Sequence, residues 1–139
     1  EVKRHADQGA SLMEAGKYRE AFDAYVEALQ LLPDPIVQWN AGAWLLVAMG
    51  ENAIRAGNYK AALDPLEDAM YGPGTVGNPW VHLRLGMVHF ELDHQKAAAD
   101  HLARAYMGGG RDVFQGLDPK YFGLLERVLK PPPGKTRLD

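Results

Sequence analysis

Four of the five histidines fall at one spacing: His82 and His89, and likewise His94 and His101, stand seven residues apart. On a helix, seven residues bring two rings to the same face but about two turns from each other. That is too far for one ion. A helical zinc pair wants histidines at i and i+4, as in HExxH, and this chain has no such pair. Cysteine is absent, which removes thiolate sites, thiol catalysis and disulfide scaffolds together. The rings are therefore expected as packed, hydrogen-bonded core side chains. No metal and no other cofactor is expected, and a metal-dependent enzyme is kept only as the remote alternative.

Two glycine-rich strings, GPGTVG at 72–77 and GGGR at 108–111, could in principle cradle a phosphate. Neither ends in the lysine and hydroxyl pair, nor follows a strand, as a phosphate loop requires. Helix termination is the expected role of both. The carboxylates are scattered over helix faces, and no Ser-His-Asp order emerges, so catalytic residues are expected to be none.

At 47% hydrophobic and 24% charged residues the chain has the composition of an ordinary folded domain, and at 139 residues one domain is expected. A formal charge of -3 offers no bulk attraction to nucleic acid or to an anionic membrane, so neither is an expected partner. The longest apolar run, around 41–49, is too short to span a bilayer. No signal-peptide pattern opens the chain; the expected compartment is the cytoplasm, with a removed leader left open by the start at Glu1.

The string GKYREAFDAYVEAL at 16–29 recurs as GNYKAALDPLEDAM at 57–70 and, more weakly, as DHQKAAADHLARAY at 93–106. Seven residues before each copy stands a glycine, Gly9, Gly50 and Gly86, where two antiparallel helices would have to approach closely. Alanines recur at 21, 62 and 98, and again at 28, 69 and 105. Bulky residues fall on Tyr25, Leu66 and Leu102. The pairs Asp34-Pro35, Asn78-Pro79 and Asp118-Pro119 each place a capping side chain before a proline at a first helical position. From these signals Pro35 to Ala56 is expected as one long helix, 119–130 (PKYFGLLERVLK) as an amphipathic capping helix, and 131–139 as an extended, mobile tail.

This small-large pattern resembles the tetratricopeptide repeat (TPR), a helix-turn-helix unit of 34 residues. The resemblance covers about residues 2–107. It implies an all-α solenoid of three helix-turn-helix repeats, about 2–34, 35–72 and 78–107, closed by a C-terminal capping helix at about 118–130, within a single domain 1–130. The glycines are 41 and then 36 residues apart, not 34. The usual first-helix aromatics are also missing: His5, Gln8 and Leu12, then Leu46, Met49 and Ala53, then His82, Leu85 and His89 stand there.

In the family, ligands lie against the first helix of each repeat at its second, fifth, sixth, ninth, twelfth and thirteenth positions. Carried over, these are Lys3, Ala6, Asp7, Ala10, Met13 and Glu14; Trp44, Val47, Ala48, Glu51, Ile54 and Arg55; Trp80, Leu83, Arg84, Met87, Phe90 and Glu91. The second and third sets suit an apolar partner segment, with Arg55 and Arg84 available to acidic groups. Ala10 and Ala48 replace the asparagines of the clamp that holds a chaperone's C-terminal carboxylate, so that role is not expected.

The resemblance thus implies a protein-binding adaptor, in its finer form an effector chaperone or a toxin-immunity protein of bacterial type. The alternatives are a self-associating scaffold, with Trp39 and Trp44 as its seam, and a groove already filled by the C-terminal helix.

Overall fold

The computed structural model describes residues 1–131 and 133–138. Among these the regular elements are helical: α1 (Val2–Glu14), α2 (Tyr18–Gln30), α3 (Asn40–Arg55), α4 (Tyr59–Ala69), α5 (Pro79–Glu91), α6 (Gln95–Gly109) and α7 (Pro119–Val128). They form two compact units, Glu1–Gly77 with α1 to α4 and Asn78–Asp139 with α5 to α7.

Consecutive helices pair as hairpins, α1 with α2, α3 with α4 and α5 with α6. Each hairpin closes on one contact. A Cβ added to Gly9 would lie 2.6 Å from the Tyr25 ring, one on Gly50 2.4 Å from Leu66, and one on Gly86 2.6 Å from Leu102. The second helix therefore drives its largest side chain into the space a first-helix side chain would need. Ala21, Ala62 and Ala98, with Ala28, Ala69 and Ala105, are fully buried one turn to either side, where nothing larger fits.

The turns follow the same repeat. Gly16 and Gly57 take positive φ, and the third copy puts Asp93 in that place at φ 64°. Aspartate is among the few side-chain-bearing residues that tolerate the left-handed region. Two of the proline signals open helices as expected: Asn78 Oδ1 accepts from Trp80 N at 2.9 Å, and Asp118 Oδ1 from Lys120 N at 3.0 Å.

The expected long helix from Pro35 to Ala56 does not form. Ile36–Gln38 makes a separate 3-10 turn, Trp39 is extended, and α3 begins at Asn40. The turn folds back on α3, and a Cβ on Gly42 would lie 2.2 Å from the Ile36 carbonyl oxygen. The glycine thus admits backbone where a continuous helix would have run straight. Trp39 accordingly precedes the helix, and its indole N–H donates to the Pro33 carbonyl at 3.0 Å.

Both glycine-rich strings end helices. In the loop after α4, buried Thr75 donates its hydroxyl to the Ala69 carbonyl, and Gly72 leaves room for Ala43 and Thr75. Gly110, at φ 70°, stops α6. The capping helix runs as Pro119–Val128, two residues short of its expected end. The segment expected to be an extended tail returns to the second unit: Leu138 is buried in its core, and its carbonyl accepts from the Tyr106 hydroxyl. Pro132 and Asp139 of that segment lie outside the described residues.

Replacing Gly86 with alanine should cost about 1–3 kcal/mol, the usual penalty for overpacking. Leu102, fully buried and with its backbone N 3.1 Å from the added Cβ, has little room to yield. Urea unfolding of Gly86→Ala, Leu102→Ala and the double variant tests the contact directly, with a combined loss smaller than the two single losses added together.

Candidate binding site

In the first unit the exposed sides of α1 and α3 enclose a cleft of about 470 Å³, lined almost wholly by carbon. Val2, Lys3, Ala6 and Ala10 of α1 form one wall; Ala41, Trp44, Leu45 and Ala48 of α3 form the other; Tyr25 of α2 contributes as well. Alanine at positions 6, 10, 41 and 48 is what opens the space. Trp44 stands 42% exposed, a large apolar surface beside an apolar cavity. The loop after α4 lies against its indole, since a Cβ on Gly74 would be 3.4 Å from Trp44 Nε1.

Charged residues on the same two helices are already engaged. Arg55 donates from Nη1 to Glu14 at 2.9 Å and from Nε to Glu51 at 3.1 Å, tying α3 to α1. Both carboxylates hold its guanidinium in the charged form, Glu51 foremost. Lys3 pairs with Asp7 at 2.7 Å on the exposed side of α1. Of the remaining residues expected to bind here, Val47 and Ile54 are half-buried on α3, and Met13 is buried in the core.

The matching positions of the second unit are differently placed. Leu83 and Met87 are buried in one cluster with Tyr121, Phe122, Leu124 and Leu125 of α7. Phe90 meets the Tyr121 ring edge-on, centroids 5.2 Å apart. Glu91 accepts from the Tyr121 hydroxyl and pairs with Lys120 at 2.7 Å. Burial opposes ionisation of Glu91, but Lys120 and Tyr121 outweigh it and hold the carboxyl below its ordinary value. Arg84 reaches the Met87 sulfur at 3.5 Å, and Trp80, 53% exposed, stands at the start of α5. In this unit α7 packs over Leu83, Met87, Phe90 and Glu91, while Trp80 stays exposed.

The histidines of the second unit meet across the hairpin. His82 Nδ1 lies 3.0 Å from His101 Nδ1, and His89 Nδ1 lies 3.0 Å from His94 Nδ1. His89 and His101 stack with rings 2° from parallel and centroids 5.5 Å apart. Reading each helix separately misses these pairs. The antiparallel register reveals them, because the turn that puts His94 beside His89 puts His101 beside His82 seven residues further along each helix. Among the described residues no group of three or more His, Cys, Asp or Glu is arranged to hold a metal ion.

The cleft residues that sequence reasoning missed are Val2, Tyr25, Ala41 and Leu45. Tyr25 carried a signal as the bulky partner of Gly9; the other three lie outside the family's contact positions.

Tyr121→Phe should cost about 1.5–3 kcal/mol at neutral pH, the range for a hydrogen bond to a charged group. Because the folded carboxyl of Glu91 titrates below its ordinary value, this contribution is present above the unfolded value and fades as pH falls through the folded one. Chemical denaturation of wild type and variant at pH 7 and pH 3 should show the gap at pH 7 closing in acid.

No family model and no curated protein matches the chain. Among solved structures it is similar to the Sgt2 TPR domain from Aspergillus fumigatus, with a TM-score of 0.67 at 19% identity, over 96% of this chain and 87% of that one. That likeness speaks to the fold, and it agrees with three hairpins each closed by glycine against one bulky side chain. The chain is an all-α protein with a tetratricopeptide-repeat fold.

Proposed function

We propose that this protein is a protein-interaction module that holds an apolar segment of one partner in the cleft between α1 and α3. The observation that carries the reading is the open, carbon-lined cleft with half-exposed Trp44 at its wall. Large exposed apolar surface on a folded unit marks an interaction site, and tryptophan dominates binding energy where such surfaces are used. The fold supports the same reading, because helical repeats use their first-helix faces as extended binding surfaces.

Within this class the reading is an adaptor that masks a partner's apolar segment, as an effector chaperone or a toxin-immunity protein does. The charges beside the cleft support capture by shape. Arg55 already serves two carboxylates and Lys3 one, so an incoming acidic group gains little from them. No described helix is long and apolar enough to cross a membrane.

The test starts with the partner captured by the wild-type chain, identified by mass spectrometry and produced on its own. Titration calorimetry should then show Trp44→Ala binding it at least about 30-fold more weakly, the effect of losing roughly 2 kcal/mol at a hot spot, with helicity unchanged. Trp80→Ala, altering the other unit, should bind within a few-fold of wild type. Undiminished affinity in Trp44→Ala would sink the proposal. Concentration-dependent self-association lost in the same variant would replace it with the scaffold reading.

A further inference from the structure

We propose that the four histidines of the α5–α6 hairpin form a proton-operated latch, closed near neutral pH and opened in acid. The cluster is built from both helices in register. His82 and His89, both buried, each face a ring nitrogen of a partner on α6 at 3.0 Å, and His89 stacks on His101.

Two imidazole nitrogens at that distance can share one proton. One ring must present Nδ1–H and the other a lone pair, so each pair needs opposite tautomers. A pair that takes up a single extra proton keeps its N–H···N bond. When both rings are fully protonated, two N–H groups face each other and the bond becomes a like-charge contact. The two pairs lie side by side, with His101 against both His82 and His89, so the rings of α5 and α6 form one cluster.

Within the second unit, the fixed charges that reach His82 and His101 are on α6. Arg104 opposes protonation of these rings and Asp100 favours it, and the two residues also pair with each other at 3.1 Å. On α5, Glu91 is held by Lys120 and Tyr121 of α7, and Arg84 lies on the Met87 sulfur. His94 is flanked by Asp93, whose carboxylate accepts from Gln95 at 3.3 Å.

Burial, above all, lowers the value of His82, with Arg104 adding to it; burial and then the neighbouring His82 and His89 bring His101 to about 4. An unfolded histidine titrates near 6.5. Between those two values the unfolded chain binds more protons than the folded one, so the stability of the unit falls as pH falls from about 6.5 toward 4. The remaining histidine, His5, stands apart from this cluster in the first unit, 3.2 Å from Glu27.

Two measurements on the full chain decide the matter. Thermal unfolding from pH 7.5 to 4.5 compares wild type with His94→Gln/His101→Gln, in which a neutral amide can still donate to or accept from either remaining ring. Wild type should lose at least about 5 °C more than the variant across that range, the shift that roughly 1 kcal/mol gives a small unit. Parallel curves overturn the latch. Should the variant fail to fold, nitrogen-15 spectra of the wild-type imidazoles decide alone. At pH 7 each pair should show one Nδ1–H ring and one Nε2–H ring, with slowed amide exchange in α5 and α6 whose protection falls by pH 4.5. Four rings in one common tautomer, or exchange protection unchanged at pH 4.5, overturn it.

Discussion

Everything in this molecule hangs on how closely two helices of a hairpin can approach. Helix axes in proteins usually pack 8–10 Å apart, at a distance set by the side chains between them. Here one helix contributes no side chain at the point of contact, and the other inserts Tyr25, Leu66 or Leu102 into the gap. Those three side chains are almost completely buried, so each contact also gains the full hydrophobic benefit of a large residue. A glycine facing a bulky residue has one good register, since sliding by a turn would bring two side chains together. The flanking alanines enforce it, and Asn52 adds a bond from its side-chain amide to the Tyr18 carbonyl at 2.9 Å, linking the first two hairpins.

From that register the cleft and the histidine pairs follow. It fixes which residues of α1 and α3 face outward together, and there the chain places small residues beside one tryptophan. In the second unit the same register brings the histidines of α5 opposite those of α6. There His82 and His89 occupy first-helix positions where the resembled family carries large core residues, and the hairpin accommodates them by giving the Nδ1 of each ring a partner. A buried imidazole without one would leave a polar group unsatisfied.

The hairpins were legible because their signals are local and repeated. Glycine, alanine and bulky positions recur at fixed offsets from 16, 57 and 93, and Asn78-Pro79 and Asp118-Pro119 carry cap chemistry within three residues. Asp34-Pro35 carries the same letters, yet its helix starts later, because the Ile36 carbonyl settles over Gly42, a contact six residues away that no capping rule sees. The paired histidines were hidden for a related reason: seven-residue spacing describes one helix, while the pairing depends on two. Leu138 is a further case. A proline-rich, charged segment reads as solvated, and its one leucine is enough to bring the chain back to the core beside Tyr106.

The two units use equivalent positions in opposite ways, and the comparison bears on what the open cleft would accept. Trp80, Leu83, Phe90 and Glu91 repeat the positions of Trp44, Val47, Ile54 and Arg55. In the second unit an amphipathic helix covers this face beyond the exposed Trp80, meeting Phe90 with an aromatic edge and Glu91 with a lysine and a phenol. That helix contributes both apolar contact and an ion pair. In the first unit the thirteenth position is Arg55, and its charge is spent on Glu14 and Glu51 of the chain itself. Breaking those bonds to make similar ones with a partner would gain little, because exposed ion pairs are worth about 1 kcal/mol at most. On the proposed reading, selection in the open cleft falls to the fit of apolar groups against Trp44, Leu45 and the alanines. On that reading, a segment resembling α7 in its apolar face, without need of its lysine, is the kind of partner segment expected there.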